Sequence, residues 1–346
     1  MQFQAILLSL IILFSIAVTK TAGDNSAEKP PLLSDALSGF STETSPPEIT
    51  TGTPIVIVPA IAPTETSEGL TGADPATILP VNEILSGDSD LLGKNRGTQT
   101  CELSNLDLLG ITAKTVLLKY ADYGPNIVNK SPEKRWPIAS ITKLMTAIAT
   151  IEKTDLNKKI TISANAAGSE GAAGDFKEGE VFRAGDLLKA MLVISSNDAA
   201  IALAESYGQT DFVNEMQRKA ADIRMSQTSY VEPTGLSFLN QSTVGDLSRL
   251  AEYIYANYPE IYRITRQTEI QIQELKSGKY RKLKNIDEFA GNQDFIGGKT
   301  GYIDAAGRNL VALFTVKNRP ALSVVLGSDD AFKDTKTLKD FLISCE

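Results

Sequence analysis

Apolar positions follow three regimes along the chain. Ala5 to Val18 is a nearly unbroken apolar run, AILLSLIILFSIAV. From Asp24 to Thr98 no periodicity survives. Beyond Gln99, periodic segments alternate with turn signals. Thr115 to Ala121 (TVLLKYA) reads as a strand, and Trp136-Pro137 leads into an Ala-rich helix beginning near Ser140. Gly185 to Ile194, Ala199 to Tyr207 and Asp211 to Ile223 read as helices. Thr243 to Tyr255 opens on a hydroxyl residue and carries Leu247, Leu250, Ala251 and Ile254 at helical spacing. Strand-like runs follow at Glu269 to Glu274, Asn309 to Val316 and Ala321 to Leu326. The last two flank the turn signal Lys317-Asn318-Arg319-Pro320, which predicts a hairpin. A final helix starts from Asp330. This order predicts an α+β sandwich: an antiparallel sheet, flanking helices and a helical subdomain.

Composition divides the chain at the same places. The N-terminal run is short for a spanning helix but fits the apolar region of an export signal. Its preceding MQFQ has no Lys or Arg, and no clean A-x-A cleavage site follows. Residues 1–23 are therefore read as a signal peptide or an uncleaved N-terminal membrane anchor, and the chain as exported. Residues 24–98 are rich in Pro, Ser, Thr and Gly, and Phe40 is the only aromatic among them. With 11 acidic and 3 basic residues, this span carries the acidity of a chain whose net charge is −8, so the remainder is close to neutral. Such a segment buries too little apolar surface to offset its ordering entropy, which predicts a disordered linker. Residues 99–346 are left as the folded domain.

The residue counts also exclude chemistries. The chain has no His, so it has no Ser-His-Asp or Cys-His catalysis, and no histidine-ligated zinc. Two Cys do not make a Cys-rich zinc site or an iron–sulfur cluster. These counts leave no His- or Cys-built metal centre. An acidic chain of pI near 4.9 argues against nucleic acid as a partner. Proton transfer falls to Lys, Asp, Glu or Tyr, or to a hydroxyl relay. Cys101 and Cys345 bracket the folded part, and export places them where thiols oxidise. A disulfide fastening the two ends is expected, with two unpaired thiols as the alternative.

Three short motifs carry candidate chemistry. Ser140 and Lys143 are three apart, on one face of a helix, where a buried Lys could serve as base to the hydroxyl. Alone, the pair is a weak signal, and a helix cap is the favoured reading of Ser140. Ser195-Ser196-Asn197 places a hydroxyl and an amide two apart; Asn197 would also make a good N-cap for a helix from Asp198. Gly298-Lys299-Thr300-Gly301 resembles half a phosphate-binding loop without the rest of it. On a strand, alternation would put Lys299 and Gly301 on one face and Thr300 on the other. Gly301 would let a substrate backbone lie close. An exposed strand with a Gly-rich turn is the plain alternative.

Taken together and in this order, the motifs resemble the signature of penicillin-recognising serine enzymes. ASITKLMTA, SSNDAA, EPTGLSFLNQSTVGDL and GGKTGYIDAAGRNL resemble the D-alanyl-D-alanine carboxypeptidase/endopeptidase family of low-molecular-mass penicillin-binding proteins, over about Leu108 to Leu342. IASITKLMTA and EPTGLS are most similar to its endopeptidase branch. The resemblance implies a β-lactamase/DD-peptidase-like fold and 99–346 as the catalytic domain. It implies Ser140 as nucleophile, Lys143 as general base and Ser195 as proton relay to the leaving amine. It implies Asn197 as holder of the substrate amide, Lys299 and Thr300 as carboxylate recognition, and an oxyanion hole from the backbone N–H groups of Ser140 and Tyr302, beside Gly301. Implied partners are peptidoglycan stem peptides, with β-lactams as covalent inhibitors and the membrane reached only through the N-terminal segment. The chain departs from the family at Ile303, where a Thr is common, which shifts carboxylate recognition towards Thr300 and Arg308. It also ends at Glu346, soon after the catalytic part, so the N-terminal stalk is expected to do the tethering. A β-lactamase would need an E-x-x-x-N element, and Glu232 and Asn240 stand eight apart. An inert peptidoglycan-binding module would have no use for a nucleophile paired with a base.

Overall fold

The computed structural model describes residues 109–345 apart from 123 and 172. The expected export segment 1–23, the linker 24–98 and Cys101 lie outside the described residues. Cys345, the other half of the expected bridge, is disulfide-bonded.

The strands are β1 (Thr115–Tyr120), β2 (Asn126–Lys130), β3 (Trp136–Pro137), β4 (Lys159–Thr161), β5 (Val181–Arg183), β6 (Gln241–Ser242), β7 (Glu269–Gln273), β8 (Tyr280–Lys284), β9 (Phe295–Ile303), β10 (Gly307–Val316) and β11 (Arg319–Ser328). The helices are α1 (Thr142–Lys153), α2 (Ala164–Ala167), α3 (Ala184–Val193), α4 (Asn197–Tyr207), α5 (Gln209–Asp222), α6 (Val244–Asn257), α7 (Pro259–Thr265) and α8 (Ala331–Ser344). Among them stands a five-stranded antiparallel sheet in the order β2-β1-β11-β10-β9.

Both faces of that sheet are covered, which is why β10 and β11 read as continuous apolar runs rather than alternating ones. Val311, Leu313, Leu322, Val324 and Leu326 face the core built with α1, α3, α4 and α6. Leu310, Ala312, Phe314, Ala321 and Val325 face the opposite core, closed by Leu338 and Leu342 of α8. The expected hairpin is present but tighter than the sequence suggests. Lys317 and Asn318 alone form the turn, both at positive φ, and β11 already begins at Arg319. A two-residue turn with both centres left-handed matches the twist of the flanking strands. Among the elements not read from the sequence are the edge strand β2, the strand β8 and the short helix α7.

α1 lies in the middle of the helical side. Thr142 to Thr150 are buried without interruption, so the helix has no solvent face over its first two turns. Whatever polar group it carries there is taken out of water, and Lys143 is in its first turn.

Candidate active site

Ser140 stands in a single 3-10 turn, Ala139–Ile141, that runs into α1. The turn opens on Ala139 at φ 48°, a left-handed conformation costly for a residue with a Cβ. It is held from both sides. A Cβ on Gly235 would come within 1.9 Å of the Ala139 carbonyl oxygen. One on Gly301 would meet the Ile138 oxygen at 2.8 Å and the Ser140 nitrogen at 3.1 Å. Only glycine lets the 235 loop and strand β9 press this closely on the serine backbone.

Lys143 Nζ donates to Ser140 Oγ at 2.8 Å, to Asn197 Oδ1 at 2.7 Å and to the Thr234 carbonyl at 2.6 Å. The side chain is 0% exposed. Burial pulls its pKa well below the ordinary lysine value, Lys299 pushes it the same way, and Glu232 opposes both. This is a lysine biased towards the neutral amine, one turn from a hydroxyl.

Ser195 is also left-handed, at φ 58°, at the bend between α3 and α4. The bend aims its hydroxyl at Lys299, whose Nζ lies 3.0 Å from Ser195 Oγ and 2.8 Å from the Thr300 carbonyl. Burial brings the Lys299 pKa down to about 7. The sequence reading of Asn197 as an N-cap is corrected here. Ser196 caps α4, accepting from the Ala199 N–H at 3.2 Å, and Asn197 is the first helical residue. That frees the Asn197 amide, which accepts from Lys143 and donates to the Glu170 carbonyl at 2.7 Å. On β9, Lys299 and Gly301 are buried and Thr300 is half-buried, as alternation predicts. Tyr302 is exposed beside them.

Ser140, Ser195, Asn197, Thr300, Gly301 and Tyr302 thus line one cleft of about 360 Å³. Ile303 and Arg308 line it beside Tyr302, with the Arg308 guanidinium 5.5 Å from the Tyr302 ring centre. Residues separated by more than 150 positions converge: two serine hydroxyls, an amide and a guanidinium line the cleft, and the buried amines of Lys143 and Lys299 are hydrogen-bonded to the two serines. Such a set can open an acyl bond next to a carboxylate.

Sequence reasoning missed the strap that supplies the third partner of Lys143. The Glu232 carboxylate accepts the N–H groups of Thr234 at 2.6 Å, Gly235 at 2.7 Å and Ser237 at 3.3 Å, and the Asn240 amide at 2.9 Å. Asn240 also donates to Thr142 Oγ1, and Thr146 Oγ1 donates to the Pro233 carbonyl, which stitches the strap to α1. The signal was an acid two residues before a Thr-Gly turn. The backbone carbonyl of Thr234 left no signal, because its role depends on conformation and not on residue type.

The chain matches the family model described as D-alanyl-D-alanine carboxypeptidase over residues 102–330. It is 29% identical over 263 residues to the D-alanyl-D-alanine carboxypeptidase DacF of Bacillus subtilis, covering 73% of this chain and 65% of that one. It is 31% identical over 241 residues to a D-alanyl-D-alanine endopeptidase of Pseudomonas aeruginosa, covering 67% and 77%. Among solved structures, a D-alanyl-D-alanine carboxypeptidase of Mycobacterium tuberculosis superposes with a TM-score of 0.62 at 27% identity, covering 67% of this chain and 91% of that one. Penicillin-binding protein D2 of Listeria monocytogenes, in its ampicillin-bound form, gives 0.60 at 28% identity, covering 67% and 97%.

Proposed function

The chain belongs to the D-alanyl-D-alanine carboxypeptidase family, and from that premise we propose that it is a serine DD-peptidase acting outside the cytoplasm on peptidoglycan stem peptides. The observation that carries this reading is the fully buried Lys143 amine 2.8 Å from Ser140 Oγ. The neutral amine takes the hydroxyl proton as Oγ attacks the carbonyl of the penultimate D-alanine. The developing oxyanion meets the N–H groups of Ser140 and Tyr302. Ser195 passes a proton to the departing nitrogen, and Lys299, Thr300 and Arg308 hold the terminal carboxylate. Water then cleaves the acyl-enzyme ester and Ser140 recovers its proton.

The Glu232 carboxylate bears on the second half-reaction. Its oxygens already accept five donors, the N–H groups of Thr234, Gly235 and Ser237, the Thr234 hydroxyl and the Asn240 amide, so it has no free lone pair aimed at a water. Penicillin should therefore form a lasting ester with Ser140 instead of being turned over. The finer activity is D-Ala release, the carboxypeptidase reaction. A second reading, cleavage of a cross-link, is supported by relatives named D-alanyl-D-alanine endopeptidase at 30–35% identity. Among the described residues no helix is long and apolar enough to cross a membrane.

The test is intact mass of the full-length chain during incubation with benzylpenicillin. A single persistent adduct mapping to Ser140, absent from Ser140→Ala, is expected. No adduct, together with no D-Ala release from a D-Ala-D-Ala peptide and no cleavage of a cross-linked dimer, would overturn the proposal. A transient adduct with drug consumption would make the chain a β-lactamase.

A further inference from the structure

One buried acid near the cleft has no part in the steps above. Asp287 follows β8, in a loop that Asn285 pins down by donating to the Thr265 and Gln267 carbonyls, each at 2.7 Å. It is 8% exposed. One carboxylate oxygen, Oδ1, accepts the Phe289 N–H at 2.9 Å, and Phe289 is itself wedged against Phe295 and Phe314. The other oxygen, Oδ2, is buried and makes no hydrogen bond. An unpartnered buried carboxylate oxygen costs free energy unless a charge compensates it.

The compensating charge is close by. Asp287 and Lys299 line the same small cavity, together with Thr265, Asn285 and Thr300. Lys299 is 2% exposed, and its hydrogen-bond acceptors are the Ser195 and Thr300 hydroxyls and the Thr300 carbonyl, all uncharged. Other charged groups around it do not do the same work. Lys143, on α1, is a second amine that repels it, and Glu232 acts on Lys143 from the strap. Arg308, on β10, adds positive charge to the cleft wall. Glu288, next to Asp287, acts on Asp287.

We propose that Asp287 is a positioning residue for the peptidase reading above: its carboxylate is the counter-charge that keeps Lys299 an ammonium beside Ser195, and it thereby sets the upper pH limit of carboxylate recognition. The titration behaviour agrees. Burial pushes Asp287 up to about 6, with Lys299 pulling the other way. Burial brings Lys299 down to about 7, and Asp287 is the group that resists this. Above about pH 6, Asp287 is an anion and raises the pKa of Lys299; below it, Asp287 is protonated and its removal changes little. Asparagine in its place cannot supply the charge, so Lys299 would discharge at lower pH.

The experiment compares the full-length wild type and Asp287→Asn in two ways. Lysine 13Cε NMR titration reads the Lys299 midpoint directly. Benzylpenicillin acylation rates from pH 5.5 to 9 read the consequence. The expected midpoint falls by about one unit, with acylation near wild-type at pH 5.5 and lower by roughly five- to tenfold at pH 8. Asp287→Glu should recover part of the alkaline activity. An unmoved midpoint, or an equal loss at every pH with a lower melting temperature, would overturn the proposal and leave Asp287 a structural residue. If the wild type is not acylated by benzylpenicillin and also releases no D-Ala from a D-Ala-D-Ala peptide and cleaves no cross-linked dimer, the peptidase reading fails, while the NMR midpoint still decides the role of Asp287.

Discussion

A lysine serves as a base only where its ammonium form is harder to keep than its amine. Lys143 meets that condition because α1 is buried on all sides at its start and a second lysine stands nearby. Lys143→Ala should therefore lower acylation by about 10³-fold while far-UV CD stays unchanged, whereas Ser140→Ala should abolish it. Wild-type acylation by Lys143→Ala would remove the base from the mechanism. The two lysines also set opposite limbs of the pH profile. Lys143 must be neutral, so activity rises as pH climbs through its depressed pKa. Lys299 must be charged, so carboxylate recognition is present below about pH 7 and lost as pH rises through it. Lys299→Arg keeps the charge at all accessible pH. Its kcat/KM profile for a D-Ala-D-Ala peptide should lose the alkaline fall, whatever its absolute rate; an unmoved fall would assign that limb to another group. These side chains were legible because each sits in a short motif with its own spacing. Thr234 and Asp287 were not: one acts through its backbone, and the other meets Lys299 only after folding.

Among the elements, those with a strong local period emerged from the sequence nearly as they fold, such as α6, α3 and the β10–β11 hairpin. β9 emerged only as the stretch Gly298 to Gly301 and not over its full span Phe295–Ile303, because Gly297, Gly298 and Gly301 leave few side chains to show a period. The same glycines let it pass close to Ala312 and to Ser140, so the feature that hid the strand is the one the site requires. α8 shows how a surface helix can govern the sheet. Asp334, in its first turn, accepts the Thr112 N–H at 3.1 Å, the Ala113 N–H at 2.9 Å, Thr112 Oγ1 at 2.9 Å and Ser328 Oγ at 2.6 Å. The carboxylate joins the chain entering β1 to the end of β11. Asp334→Ala would strand several buried donors at a cost of about 3 kcal/mol, or roughly 10 °C in melting temperature. At a temperature where the variant remains folded, its acylation rate should match wild type, because Asp334 touches nothing in the cleft. A large rate loss with an unchanged melting temperature would place Asp334 in the site instead.

For the whole molecule, the sheet order is what the sequence could not yield. β1 pairs with β11 across some two hundred residues, and no local pattern encodes such a partner. That pairing nevertheless fixes where a folding unit must begin. β1 and the Thr112-Ala113 segment before it are held by β11 and by Asp334, and Lys114 N–H donates to the Leu326 carbonyl at 2.9 Å. The composition of residues 24–98, with Phe40 as the only aromatic and no apolar period, predicts a linker with nothing comparable to bury. A chain begun at Gln99 should then be acylated by benzylpenicillin within about twofold of the full-length rate, since a domain with its own core needs no linker to fold. A chain begun at Lys114 removes three of the donors to Asp334 and leaves a buried carboxylate without them. It should melt well below the Gln99 chain in calorimetry and should also be more easily cleaved by protease. Equal melting of the two would mean that the segment before β1 contributes nothing to stability. Slow acylation of the Gln99 chain would mean that residues before it take part in the reaction, and the division of the chain into linker and catalytic domain would have to be redrawn.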